Sequence, residues 1–202
     1  MTTPIPFIAC HPSNYTKGRV VPTTGEGVIA GLAGHNFVVD SIALHRTAVK
    51  GDTALGECHY YSGPNRKASF HEAIGTDGKR CRSVNLADRA WGVVGGAFAH
   101  SVDTRIANYR SYSIELCGLN GTALTPAQIV SVVQAITDAK KASMTIVLQK
   151  ITNADLAVGR AGLYDHRQAT QAFKVESGHQ DFILDSDWAL ILKGLSVATI
   201  KL

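Results

Sequence analysis

The sequence predicts an α/β protein, a single domain over residues 1–202 with a central mixed β-sheet flanked by helices. Three observations predict it: a β-branched and apolar run over 36–48, an Asp-Gly turn between two strand-like runs within 69–84, and a capped amphipathic segment opening at Thr125. Strands mixed with helices along one chain pack as layers around one core.

In chain order, the first thirty residues read as irregular. NFVVDSIALHRTA (36–48) reads as a buried strand, because a short apolar run rich in Val and Ile closes on a polar cluster, and His45 lies at its C-terminal end. Within SFHEAIGTDGKRCRSV (69–84), Thr76-Asp77-Gly78 separates two strand-like runs, and Asp-Gly predicts a tight hairpin with both turn residues at positive φ. SYSIELCG (111–118) is a further strand, closed by Gly118. Its alternation puts Ser113, Glu115 and Cys117 on one face, with Ile114 and Leu116 on the other.

Thr125 is the N-cap of the clearest helix, with Pro126 at the first position and Gln128 completing a capping box. Ile129, Val132, Val133 and Ile136 then recur at helical spacing, while Gln134, Asp138 and Lys141 face water. SDWALILKGLSV (186–197) is apolar enough to be buried, and its periodicity fits a helix or a strand alike.

Composition removes whole classes of function. With 45% apolar and 18% charged residues the chain is globular, and no apolar run approaches the length of about 18 residues that a membrane helix needs, so no membrane insertion is expected. Twenty Lys and Arg against sixteen Asp and Glu give a net charge of +4, scattered rather than gathered into a basic stripe with interleaved aromatics, which argues against a nucleic-acid partner. The N-terminus lacks a basic region followed by an apolar one, so synthesis in a cytoplasm without a signal peptide is expected. The four cysteines are far apart, form no C-x-x-C pair and are expected to be reduced.

The histidines carry more information. His45 ends a buried strand, and His166 falls in LYDHRQATQAFKVESGHQDF (163–182), which reads as a polar loop holding a second imidazole, Lys174, Glu176 and Asp181. An imidazole at a strand end and a loop rich in imidazole and carboxylate are the raw material of a catalytic zinc site with three protein ligands and one open position.

LHRTA (44–48), ASFHEAIGTDGK (68–79), NLADRAWG (85–92), NYRSYSIELCG (108–118), LTPAQ (124–128) and HRQATQAFKVESG (166–178) stand in one order. This series resembles the type-2 N-acetylmuramoyl-L-alanine amidases, zinc peptidoglycan amidases that share their fold with peptidoglycan recognition proteins and many phage endolysins. The resemblance spans about 13–182, and SNYTKGR (13–19) is similar to the opening of amidase domains from phages and actinobacteria. It implies Zn2+ as cofactor, held by His45, His166 and Glu176. Glu176 stands where the family has Asp or Cys, and His179 and Asp181 are nearby substitutes.

The resemblance further implies Glu115 as general base, and Lys174 as the group that stabilises the oxyanion or feeds a proton to the departing amine. His71 matches a histidine lining the family's cleft, and Trp91 matches its Ala-Trp-His motif, with Gly92 in place of that His. Phe70 stands where some members place a catalytic Tyr, which shifts the burden to Glu115. His11, His35, His59 and His100 gain no role. The implied partner is bacterial peptidoglycan and a monomer is expected. The implied activity is hydrolysis of the amide between N-acetylmuramic acid and L-alanine in the cell wall, in a phage-type endolysin. Two alternatives are a non-catalytic peptidoglycan-binding module of the same fold and a cytoplasmic amidase that recycles anhydro-muropeptides.

Overall fold

The computed structural model describes residues 4–16, 39–93, 107–108, 110–173 and 180–199. Its strands are β1 (Tyr15–Thr16), β2 (Ser41–Arg46), β3 (Glu72–Ile74), β4 (Arg80–Arg82), β5 (Arg89–Ala90), β6 (Ser111–Leu116) and β7 (Leu163–Asp165). The helices are α1 (Ala54–Ser62), α2 (Pro126–Ala142), α3 (Asn153–Ala157), α4 (His166–Ala172) and α5 (Asp185–Thr199). The main sheet has the order β4-β3-β6-β2-β7, and only the β3–β4 pair is antiparallel. β1 and β5 form a separate two-stranded ribbon.

Alternation along the central strands divides the protein into two layers of contact. Ile42, Leu44, Tyr112, Ile114 and Leu116 pack with Val132 and Ile136 of α2 and Trp188 and Ile191 of α5. That burial is the main store of stability, at about 25 cal/mol per Å² of apolar surface. On the opposite face Ala43 and Tyr164 pack with Leu156 of α3 and Ala169 of α4, while Ala73 and Cys81 pack beneath Ala54 and Cys58 of α1. The second face is therefore covered at both edges and left open between them.

The capping box at Thr125 forms as the sequence predicts, with Thr125 Oγ1 accepting from Gln128 N–H and Gln128 Oε1 accepting from Thr125 N–H. The segment 186–197 is helical and lies within α5. The strand expected over 36–48 is observed over Ser41–Arg46, and 36–38 lie outside the described residues.

Two local expectations are corrected. The hairpin turn is longer than the tight two-residue form: Gly78 N–H donates to Gly75 O, Gly75 N–H donates to Lys79 O, and only Gly78 of the turn has a positive φ, at 79°. A three-residue loop that ends on a left-handed glycine is among the next most common hairpin connections. The segment 163–182 is not a loop throughout: it begins as β7 and continues as α4, with Asp165 as N-cap and a capping box to Gln168.

Asp138 is only partly solvent-facing, because its Oδ2 accepts from Arg80 Nη1 at 2.8 Å. Arg80 also clamps Glu72, which is fully buried and accepts in addition from the Tyr112 hydroxyl at 2.9 Å. Removing one partner of such a cluster strands the other charge in the interior. Glu72→Ala is expected to cost about 3–5 kcal/mol, read as a lower denaturant midpoint at unchanged slope.

Candidate metal centre and active site

The parallel strands β2, β6 and β7 end side by side, and the residues at and just beyond their carboxyl ends converge there, where open α/β sheets bind ligands. His45 is the fifth residue of β2 and stands in register with Glu115 on β6. β7 pairs with β2 on the other side, and His166 begins α4 directly after it. The capping of α4 by Asp165 fixes where that helix starts, and the other oxygen of Asp165 accepts from Ile183 N–H at 3.2 Å. That bond draws residues 181–183 back across the sheet end.

Asp181 arrives by this route. Its backbone carbonyl accepts from Arg167 N–H at 3.0 Å and its Oδ2 accepts from Arg46 N–H at 3.1 Å, so both neighbouring elements aim it. His166 Nδ1 lies 2.9 Å from Asp181 Oδ1, His45 Nδ1 lies 3.8 Å from Oδ2, and the two imidazole centroids are 4.9 Å apart. One donor atom from each of His45, His166 and Asp181 falls within 4.8 Å of the others. All three are largely buried.

Two nitrogens and one carboxylate oxygen in this arrangement are the donor set of a catalytic zinc site that keeps a position open. Among the described residues it is the one such cluster. Burial on its own pushes the Asp181 carboxyl up, but the hydrogen bond and charge of His166, with the charge of His45, outweigh it and hold the group at about 2. The centre therefore presents an anionic oxygen to a cation.

A cleft of about 600 Å³ opens over this cluster, within the size range of ligand pockets. Glu115 forms part of its floor, and Asp52, Glu57 and Tyr60 line the side that carries α1. Phe70, Trp91 and Gly92 close the end nearest β5. Burial, then the charges of Asp181, Glu57 and Asp52, raise the Glu115 carboxyl well above its ordinary value against the pull of Arg46. A cation a few ångström away acts in the opposite direction and favours the carboxylate.

The site residues expected from the sequence divide into three groups. His45, His166, Glu115 and Trp91 meet in the cleft. Lys174 and Glu176, together with His179, lie outside the described residues. His71, expected to line the cleft, is fully buried and is not among the residues that line it. Its Nδ1 accepts from Ser113 N–H at 2.9 Å, its Nε2 lies 3.1 Å from Asp88 O, and its ring stacks on Tyr112. An acceptor at Nδ1 and a donor at Nε2 define one neutral tautomer. His71 thus replaces a missing ladder partner beside β6 and ties down the loop that leads to Trp91.

Gly92 stands where an added Cβ would fall 2.2 Å from Ser113 Oγ and 3.2 Å from Ser69 O, so a side chain there would displace the Ser113 hydroxyl. The α1 wall is the part of the site that sequence reasoning misses. Thr53 is its N-cap, accepting from Gly56 N–H at 3.0 Å, but the helix has little apolar periodicity to signal it.

A family model described as N-acetylmuramoyl-L-alanine amidase matches residues 35–181, well over half of the chain. No curated protein sequence matches. Among solved structures the chain is similar to Staphylococcus aureus hydrolase AmiA in complex with its ligand, at TM-score 0.57 and 16% identity over 81% of this chain and 76% of that one. It is also similar to a mutant endolysin from Bacillus subtilis, at TM-score 0.55 and 15% identity over 96% and 99% of the two chains. PlyL is a third, at TM-score 0.53 and 18% identity over 95% and 97%. At these identities the three share the fold with this chain, and with the family match over 35–181 the chain belongs to the N-acetylmuramoyl-L-alanine amidase family.

Proposed function

We propose that the protein is a zinc-dependent hydrolase of peptidoglycan, acting on the amide between the lactyl group of N-acetylmuramic acid and L-alanine, in the manner of a phage-type endolysin. The observation that carries this reading is the convergence of His45, His166 and Asp181 beside Glu115 in one cleft. His45, His166 and Asp181 would hold the metal, which when bound supplies Lewis acidity to a carbonyl oxygen and acidifies a water.

The chain's own residues do the rest. Arg46 N–H and Arg167 N–H keep Asp181 aimed, so little reorganisation accompanies metal uptake. Glu115, as carboxylate, takes a proton from the attacking water. Trp91 and Phe70 exclude solvent from the closed end of the cleft. Lys174 answers the oxyanion charge, the role implied by its place in the HRQATQAFKVESG segment. No helix among the described residues is long and apolar enough to cross a membrane. The working form in this reading is a monomer acting on the cell wall.

Mass spectrometry of purified cell wall after digestion tests the reading. The expected products are stem peptides with a free L-alanine amine and glycan chains with a free lactyl carboxylate. Cleavage only within the glycan, or between amino acids, refutes it. Tight binding to the wall without any product would instead identify a non-catalytic recognition module.

A further inference from the structure

Acylated amines leave only if the nitrogen is protonated, because an amide anion is far too basic to depart. The base that takes the water proton can return it to nitrogen, or a second group on the cleft wall can donate one and leave the base to the water. Among the described residues of the wall, burial raises the Tyr61 hydroxyl above its ordinary value, and Phe70 has no hydroxyl. The Arg46 guanidinium is engaged with Leu119 O and Thr122 Oγ1, both at 2.8 Å.

Glu57 remains. It lies in the first turn of α1 and lines the cleft with Glu115, His45 and His166. Asp52 lines the same wall, with its Oδ1 accepting from Thr53 N–H at 2.9 Å. We propose that Glu57, on the same α1 wall as Asp52, is the general acid that protonates the departing L-alanine nitrogen; this rests on the amidase reading above.

The proton inventory closes without any other reactant. Water oxygen bonds to the lactyl carbonyl carbon while one water proton passes to the Glu115 carboxylate. The carbon–nitrogen bond then breaks as the Glu57 carboxyl gives its proton to nitrogen. The products are a lactyl carboxyl group and a free amine, and exchange with solvent returns Glu57 to the acid and Glu115 to the base.

The electrostatics support this division of labour. Burial, followed by the hydrogen bond and charge of Asp52, raises Glu57 to about 8, near the value that suits an acid at neutral pH. The titratable groups around Glu57 are Asp52 beside it, Cys58 and Cys81 beneath α1, Tyr61 at the far end of the helix, and Glu115 and Cys117 on the β6 side. Arg46 acts on Glu115 and Cys117 rather than on Glu57.

The test compares a muropeptide with its ester analogue, in which oxygen replaces the L-alanine nitrogen, using the metal-loaded wild-type protein, Glu57→Gln and Asp52→Asn. An ester needs less help to expel its leaving group. Glu57→Gln is expected to lower turnover of the amide by about 10²-fold, to lower turnover of the ester by less than tenfold, and to abolish the fall in rate above about pH 8. Asp52→Asn removes the charge that raises Glu57 and should move that alkaline limb to lower pH.

Thermal unfolding gives a readout separate from activity. A carboxyl whose folded value is raised gains a proton on folding, so its contribution falls as pH rises from the ordinary glutamate range through about 8. Glu57→Gln should unfold at a higher temperature than wild type at pH 9 and show little difference at pH 5. Equal losses on amide and ester with an unshifted pH profile, or an unchanged amide rate, overturn the proposal while leaving the amidase reading intact. A wild-type protein that cleaves neither substrate overturns both.

Discussion

EDTA treatment is expected to abolish release of L-alanine-initiated peptides from purified wall, and stoichiometric zinc is expected to restore it. The size of the effect rests on the chemistry of the amide. A metal's polarisation of the carbonyl and acidification of water amount to several kcal/mol, so the rate should fall at least about 10³-fold. His45→Ala and Asp181→Asn should each lose bound zinc, measured by metal analysis of the purified variant. The wild-type protein should also melt at a higher temperature with zinc than without it, since a ligand that binds only the folded state stabilises it. Full activity in a demonstrably metal-free preparation would end the zinc assignment. Zinc retained by Asp181→Asn at wild-type affinity would instead point to Glu176 as the third ligand.

The choice between Asp181 and Glu176 marks how far the sequence is legible. His45 and His166 are readable because each falls at an element boundary next to residues with strong local signals, a β-branched run before one and a polar segment around the other. Asp181 is visible in the sequence only as a substitute. Its place in the cluster depends on two long-range bonds, from Arg46 N–H and from the Arg167 amide to its carbonyl, which no local pattern encodes. The capping box at Asp165 and Gln168 is present in the sequence and signals α4, but the density of polar residues around it reads as a loop.

His71 is the opposite case. The resemblance places it along the cleft, whereas the sheet uses its Nδ1 as an acceptor for Ser113 N–H. The His71 backbone also donates to Ser113 O at 3.0 Å, just ahead of the β3–β6 register, a pairing that no local pattern encodes. The main layers are easier. The α2 stripe and the alternation of β6 are periodic, and periodicity survives burial. The α1 wall, with Asp52, Glu57 and Tyr60, has no comparable signature, so the whole side of the cleft opposite the metal cluster comes from the fold alone.

Glu115→Gln should keep bound zinc and lower turnover by about 10²–10⁴, the usual weight of one general base. The substitution preserves shape, so KM should change little and the loss should fall on kcat. Burial and three neighbouring carboxylates raise the Glu115 carboxyl, and a cation close by acts against them, so a base at this position gains from the metal. Loss of the metal and loss of Glu115 should therefore be far from additive, each removing most of what the other contributes. Glu115 acts on water before the leaving group departs, so its removal should slow ester and amide alike, in contrast to the selective amide defect expected of Glu57→Gln. An unchanged rate would take Glu115 out of the chemistry. A loss confined to the amide would make it the proton donor and leave the water-activating base to be sought elsewhere in the cleft.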